Sequence, residues 1–133
     1  MEPSLNDRAS LRGRHVLVVE DETLVFMLIE SILEEHGCRS AGAPRVAAAL
    51  DLARQEVFDA AVLDVNVAGE PVYPVADLLA GQGVPFVFLT GYGAHILTEP
   101  YRDRPVVQKP FREGILLDAL ARCCTTGATE AQP

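Results

Sequence analysis

Residues 60–69 read Ala-Ala-Val-Leu-Asp-Val-Asn-Val-Ala-Gly (AAVLDVNVAG), and the rest of the chain is organised around them. Small and apolar residues run straight into Asp64, and the turn formers Asn66 and Gly69 follow at once. Such a run has no polar alternation, so it predicts a strand buried on both faces. Asp64 then stands where the strand ends. In open parallel sheets that carboxyl edge is where ligands bind. A lone aspartate there equally serves as a helix cap, so its meaning depends on its neighbours.

Working outward, the pattern repeats. Residues 15–19 (HVLVV) form a first buried strand, followed without a spacer by Glu20, Asp21 and Glu22. A helix over residues 23–36 carries an inner stripe of Val25, Leu28, Ile29, Ile32 and Leu33, and Gly37 stops it. Residues 38–43 give a short second strand. Pro44 opens a helix with Val46, Ala47, Leu50 and Ala53 or Arg54 at helical spacing. After the third strand (58–63), Pro71 and Pro74 precede a helix to about residue 80. Residues 85–89 (PFVFL) form a fourth strand ending at Thr90, and 105–108 a weak fifth leading into Lys109 and Pro110. A last helix spans 112–124, with Leu116, Leu120 and Cys123 inward.

Strands alternating with helices mean an α/β domain: a doubly wound parallel sheet of five strands with right-handed crossovers. The expected strand order is 2-1-3-4-5. Residues 1–13 read as a flexible arm, 14–124 as the folded domain and 125–133 as a frayed tail. At 133 residues this is one domain, with no linker and no remainder for a second.

Composition excludes several classes of function. The net charge is −8, with 19 acidic against 11 basic residues, which disfavours nucleic acid and anionic membranes as partners. No stretch approaches the ~18 apolar residues of a membrane span, and the short run after Arg14 is no signal peptide. Three cysteines, two of them adjacent, read as buried thiols of a reducing compartment, so the expected location is the cytoplasm.

With the expected order, the strand ends bring Glu20, Asp21, Asp64, Thr90 and Lys109 to one crevice. Clustered carboxylates repel unless a cation joins them, and hard oxygen donors of this kind suit Mg²⁺. A threonine hydroxyl and a lysine ammonium opposite the metal complete a site for a phosphoryl group. An aspartate in that setting can act as a nucleophile and become an acyl phosphate.

The segments VLVVEDE, VLDVN, FLTG and QKPF fall in the order and spacing of one family: the chain resembles a response-regulator receiver domain over residues 14–124. The resemblance implies that a sensor histidine kinase phosphorylates Asp64. It implies Mg²⁺ on Glu20, Asp21, Asp64 and the backbone carbonyl of Asn66, and phosphoryl contacts from Thr90 and Lys109. Glu20 stands where many members have aspartate. PFVFLTGYG and the loop VNVAGEPVYPVADLL are similar to the FAT GUY subgroup of stand-alone receivers, which implies a kinase of the HWE type. The implied output runs through protein contacts or onward phosphotransfer to a downstream partner, and the domain is no enzyme in its own right. The rival reading is a small aspartyl-phosphate-type phosphatase, which places a second aspartate where Asn66 stands.

Two further expectations concern regulation. Phe26 and Met27 lie off the inner stripe of the first helix, either as an exposed apolar pair for kinase docking or packed under a neighbouring loop. Val106 occupies the usual place of the switch aromatic, so no large ring is available there. Tyr92 is then the ring best placed to fold over the site, and residues 91–104 are expected to stay loosely ordered until phosphorylation draws Thr90 inward.

Overall fold

The structure, a computed structural model, describes residues 10–91, 97, 98 and 100–130, with side chains as far as Cys124. Its centre is a five-stranded parallel sheet of β1 (His15–Val19), β2 (Arg39–Ala43), β3 (Ala60–Asp64), β4 (Phe86–Thr90) and β5 (Val106–Gln108). Their spatial order is β2-β1-β3-β4-β5, as the alternation of elements requires. Among the described residues four helices connect and flank the strands: α1 (Thr23–Glu35), α2 (Val46–Gln55), α3 (Tyr73–Gly81) and α4 (Glu113–Glu130).

Successive strand residues point to opposite faces, so β1, β3 and β4 each feed two cores. Val16, Val18, Ala60, Val62, Val87 and Leu89 pack beneath α1 and α4. Leu17, Val19, Ala61, Leu63, Phe86 and Phe88 pack beneath α2 and α3. Every residue of β3 is buried, Asp64 included, which is why its sequence lacks a polar period.

Several local expectations are corrected. In α1 the buried residues are Ile29, Ile32 and Leu33, while Leu28 is half exposed along with Met27, and Leu24 more so. Phe26 is not on the open face. It packs against the α1/α4 core and lies over Gly42 of β2, where any Cβ would collide with its ring. The helix α2 starts at Val46 rather than at Pro44, and its inward residues are Val46, Ala49 and Ala53, with Ala47 exposed. Pro74 lies inside the first turn of α3, where its missing N–H leaves no gap in the hydrogen-bond ladder.

The ends also differ. Leu11 is fully buried, and Gly13 N–H donates to Gly37 O, so packed structure begins before residue 14. At the other end α4 runs through Glu130. Between β3 and α3, Asn66–Val67 pairs antiparallel with Glu70–Pro71. Ala68 and Gly69 both have positive φ, the backbone of a type I′ hairpin turn. Val67 and Val72, both fully buried, seat this hairpin on the core.

Candidate functional site

Glu20 is the first residue after β1, and its N–H donates to Ala43 O, which ties the strand end to β2. Its side chain turns inward: Oε1 accepts the Glu22 N–H at 3.0 Å at the start of α1. Asp21 is exposed beside it. Asp64 ends β3, 6% exposed, and its Oδ1 accepts the Asn66 N–H at 3.3 Å. Carboxylate oxygens of Glu20, Asp21 and Asp64 lie within 4.8 Å of one another. Thr90, buried, ends β4, and its carbonyl accepts the Lys109 N–H at 2.7 Å. That bond sets Lys109 beside β4 just beyond β5.

The Lys109 ammonium reaches back across the edge. It donates to Glu20 Oε2 at 3.1 Å, Asp64 Oδ2 at 3.1 Å and Glu22 Oε1 at 2.9 Å. The fold thus brings Glu20, Asp21, Asp64, Thr90 and Lys109 to one edge. Asn66 enters through its backbone N–H. Tyr92 lies outside the described residues. Glu22 is an addition, foreshadowed by the run of three acids after β1 but not by any role assigned to it.

Charge balance here is uneven. Burial pushes the Glu20 carboxyl from 4.5 up to about 7; the Glu22 N–H opposes the shift, Asp64 adds to it, and Lys109 opposes it. Burial alone would lower the Lys109 ammonium, but hydrogen bonding to Glu22, the Asp64 charge and the bonds to Glu20 and Asp64 together hold it above its ordinary value. One half-buried lysine therefore faces more negative charge than it can neutralise. The oxygen donor set and its repulsion fit a hard divalent cation such as Mg²⁺.

The Glu20 shift has a signed consequence. Between pH 4.5 and about 7 the folded protein keeps a proton that the unfolded chain has released, so metal-free stability falls as pH rises through that window. At most about 3 kcal/mol is involved. Denaturation of wild type and Glu20→Gln across this range should show the variant gaining on wild type as pH rises. Parallel curves would refute this account of Glu20. Mg²⁺ should flatten the wild-type slope.

The regulatory expectations fare differently. Val106 is 41% exposed. A large ring is nevertheless present: Tyr101, 3% exposed, stacks on Tyr73 at 5.9 Å and meets Phe86 and Phe88 edge-on, each at 5.8 Å. Its hydroxyl donates to Asp77 of α3. The Arg104 guanidinium lies 4.9 Å from the Phe86 centroid, and Leu97 is buried nearby. A cleft of about 550 Å³, lined by Arg14, Phe58, Asp59 and Cys124 among others, opens where the strands begin and shares no residue with the acid cluster.

A doubly wound sheet whose carboxyl edge gathers acids, a threonine and a lysine is the architecture of a signalling receiver. The family model of the response regulator receiver domain matches residues 16–121, and the chain belongs to that family, which serves two-component signalling. No curated protein sequence matches it. Among solved structures, SdrG from Sphingomonas melonis Fr1 is 38% identical, with TM-score 0.72, over 87% of this chain and 97% of SdrG. The receiver domain of Erythrobacter litoralis PhyR is 26% identical, with TM-score 0.72, over 90% of this chain and 93% of that one. The response regulator PhyR from Brucella abortus shares the fold at TM-score 0.82 and 23% identity, over 95% of this chain and 54% of PhyR. The chain thus spans about half the length of that PhyR. Among the described residues no helix is long and apolar enough to cross a membrane.

Proposed function

We propose that the chain accepts a phosphoryl group on Asp64 from the phosphohistidine of a sensor kinase, with Mg²⁺ held by Glu20, Asp21, Asp64 and the Asn66 carbonyl. The observation that carries this reading is the Lys109 ammonium bridging Asp64 Oδ2 and Glu20 Oε2 at the strand edge. An Asp64 carboxylate oxygen attacks phosphorus, the P–N bond to histidine breaks, and the imidazole keeps the electron pair and takes up a proton. Lys109 donates to the phosphoryl oxygens and stabilises the charge that spreads over them in transfer, and the Thr90 hydroxyl binds one of them afterwards. Bound Mg²⁺ supplies charge neutralisation at those oxygens. Asn66 N–H keeps the nucleophile oriented by holding Asp64 Oδ1.

Signal output then passes through contacts of the phosphorylated surface or by onward transfer, within the cytoplasm. The FAT GUY resemblance supports a kinase of the HWE type. On α1 the apolar surface open to such a partner is Leu24, Met27 and Leu28, with Phe26 withdrawn onto Gly42. The phosphatase reading lacks its general acid, since the residue two after Asp64 is Asn66.

Incubation with a phosphorylated kinase core or phosphoramidate separates the two readings. We expect one phosphoryl group per chain, labile to base and absent when Mg²⁺ is chelated. Sustained turnover of phosphate esters with no stable label would favour the phosphatase instead.

A further inference from the structure

The ammonium of Lys109 has three N–H donors, and three carboxylates receive them. Two of these, Glu20 and Asp64, belong to the acid cluster that fits a divalent cation; the third, Glu22, does not. Glu22 is set apart by exposure as well. Its side chain is 60% exposed, against 0% for Glu20 and 9% for Asp64. Its backbone is nonetheless fixed, because its N–H is bound by Glu20 Oε1 at the start of α1.

A cation on Glu20, Asp21 and Asp64 draws on the same charges that now hold Lys109, and it repels the ammonium. Glu22 is then the acceptor of Lys109 that stays outside the metal's claim. We infer that Glu22 is a positioning residue: it holds Lys109 over Asp64 once the metal is bound, keeping N–H donors aimed where phosphoryl oxygens arrive. The inference rests on the phosphoacceptor reading of Asp64.

The charge of Glu22 has side effects of its own. It attracts the cation and repels an anionic phosphodonor, so loss of charge alone cannot isolate the hydrogen bond. Glu22→Gln and Glu22→Ala remove the same charge, but only glutamine keeps an oxygen acceptor. The difference between the two therefore reports the bond to Lys109.

The full chain is compared as wild type, Glu22→Gln and Glu22→Ala at saturating Mg²⁺. Two quantities are followed: the NMR signal of the Lys109 ammonium with Mg²⁺ alone, and the affinity for beryllofluoride, a phosphoryl mimic. Wild type and Glu22→Gln should show a protected Lys109 signal. In Glu22→Ala that signal should broaden, and beryllofluoride should bind about fivefold more weakly than to Glu22→Gln. Identical behaviour of the two variants in both measurements would overturn the inference while leaving the Asp64 reading intact. Failure of wild type itself to bind beryllofluoride with Mg²⁺ would instead overturn the Asp64 reading, and the role of Glu22 with it.

Discussion

Asp64→Asn is expected to leave a folded protein that takes up no phosphoryl group. The substitution is nearly isosteric, and Asp64 is 6% exposed, so the β3 terminus should keep its packing. An amide oxygen carries no negative charge and is a poor nucleophile, so the reaction loses the group that forms the new bond. The variant also removes one of three clustered carboxylates while Lys109 keeps Glu20 and Glu22 as acceptors. Less repulsion remains, so metal-free stability should equal or exceed that of wild type. Labelling with phosphoramidate, read beside thermal denaturation, checks both halves. Labelling at the wild-type rate would assign the nucleophile to another residue.

Tyr101→Ala is expected to cost about 3–5 kcal/mol of stability, because it empties a well-packed aromatic site. The ring contacts Tyr73, Phe86 and Phe88, so its loss opens a cavity bounded by α3 and β4. Tyr101→Phe keeps the ring and removes only the bond to Asp77, which is exposed and can turn to water. That change should cost about 1 kcal/mol or less. Burial, then the Asp77 hydrogen bond and charge, pushes the Tyr101 phenol up to about 12, so it remains a donor throughout the neutral range. Urea denaturation of the two variants measures the difference. Equal costs for Ala and Phe would mean that the ring contributes nothing by packing.

Tyr101 also limits what the sequence could reveal about the switch. The expectation of a loosely ordered 91–104 follows from the absence of a ring at Val106. Leu97, Tyr101 and Arg104 within that stretch pack against α3 and β4 through contacts far apart in sequence. Residues 92–96 and 99, and with them Tyr92, lie outside the described residues. No local pattern marks Tyr101 as buried, because its partners Tyr73 and Phe86 belong to other elements.

The fold itself was legible for a physical reason. Strands buried on both faces have no polar period, and β1, β3 and β4 each read as largely apolar runs that lead into or end on a site residue. Convergence of Glu20, Asp21, Asp64, Thr90 and Lys109 followed from strand order alone. Helix faces were less legible. Leu28 has the spacing of an inner residue, yet only a narrow stripe of α1 meets the sheet, and Phe26 takes its place because Gly42 leaves room for a ring. The contact of Glu22 with Lys109 joins residues 87 positions apart, and three consecutive acids do not say which of them faces a lysine. The continuation of α4 past Cys124 was hidden by Gly127 and two threonines, all poor helix formers.

The central claim, that Asp64 is the residue that carries the phosphoryl group, is tested most directly by chemical mapping. Wild-type chain is phosphorylated with phosphoramidate and Mg²⁺, the acyl phosphate is reduced with borohydride, and the peptides are weighed. The account requires the reduced residue to be found at position 64 and nowhere else. Reduction at Asp21 or another carboxylate, or phosphate retained on a histidine, would contradict it.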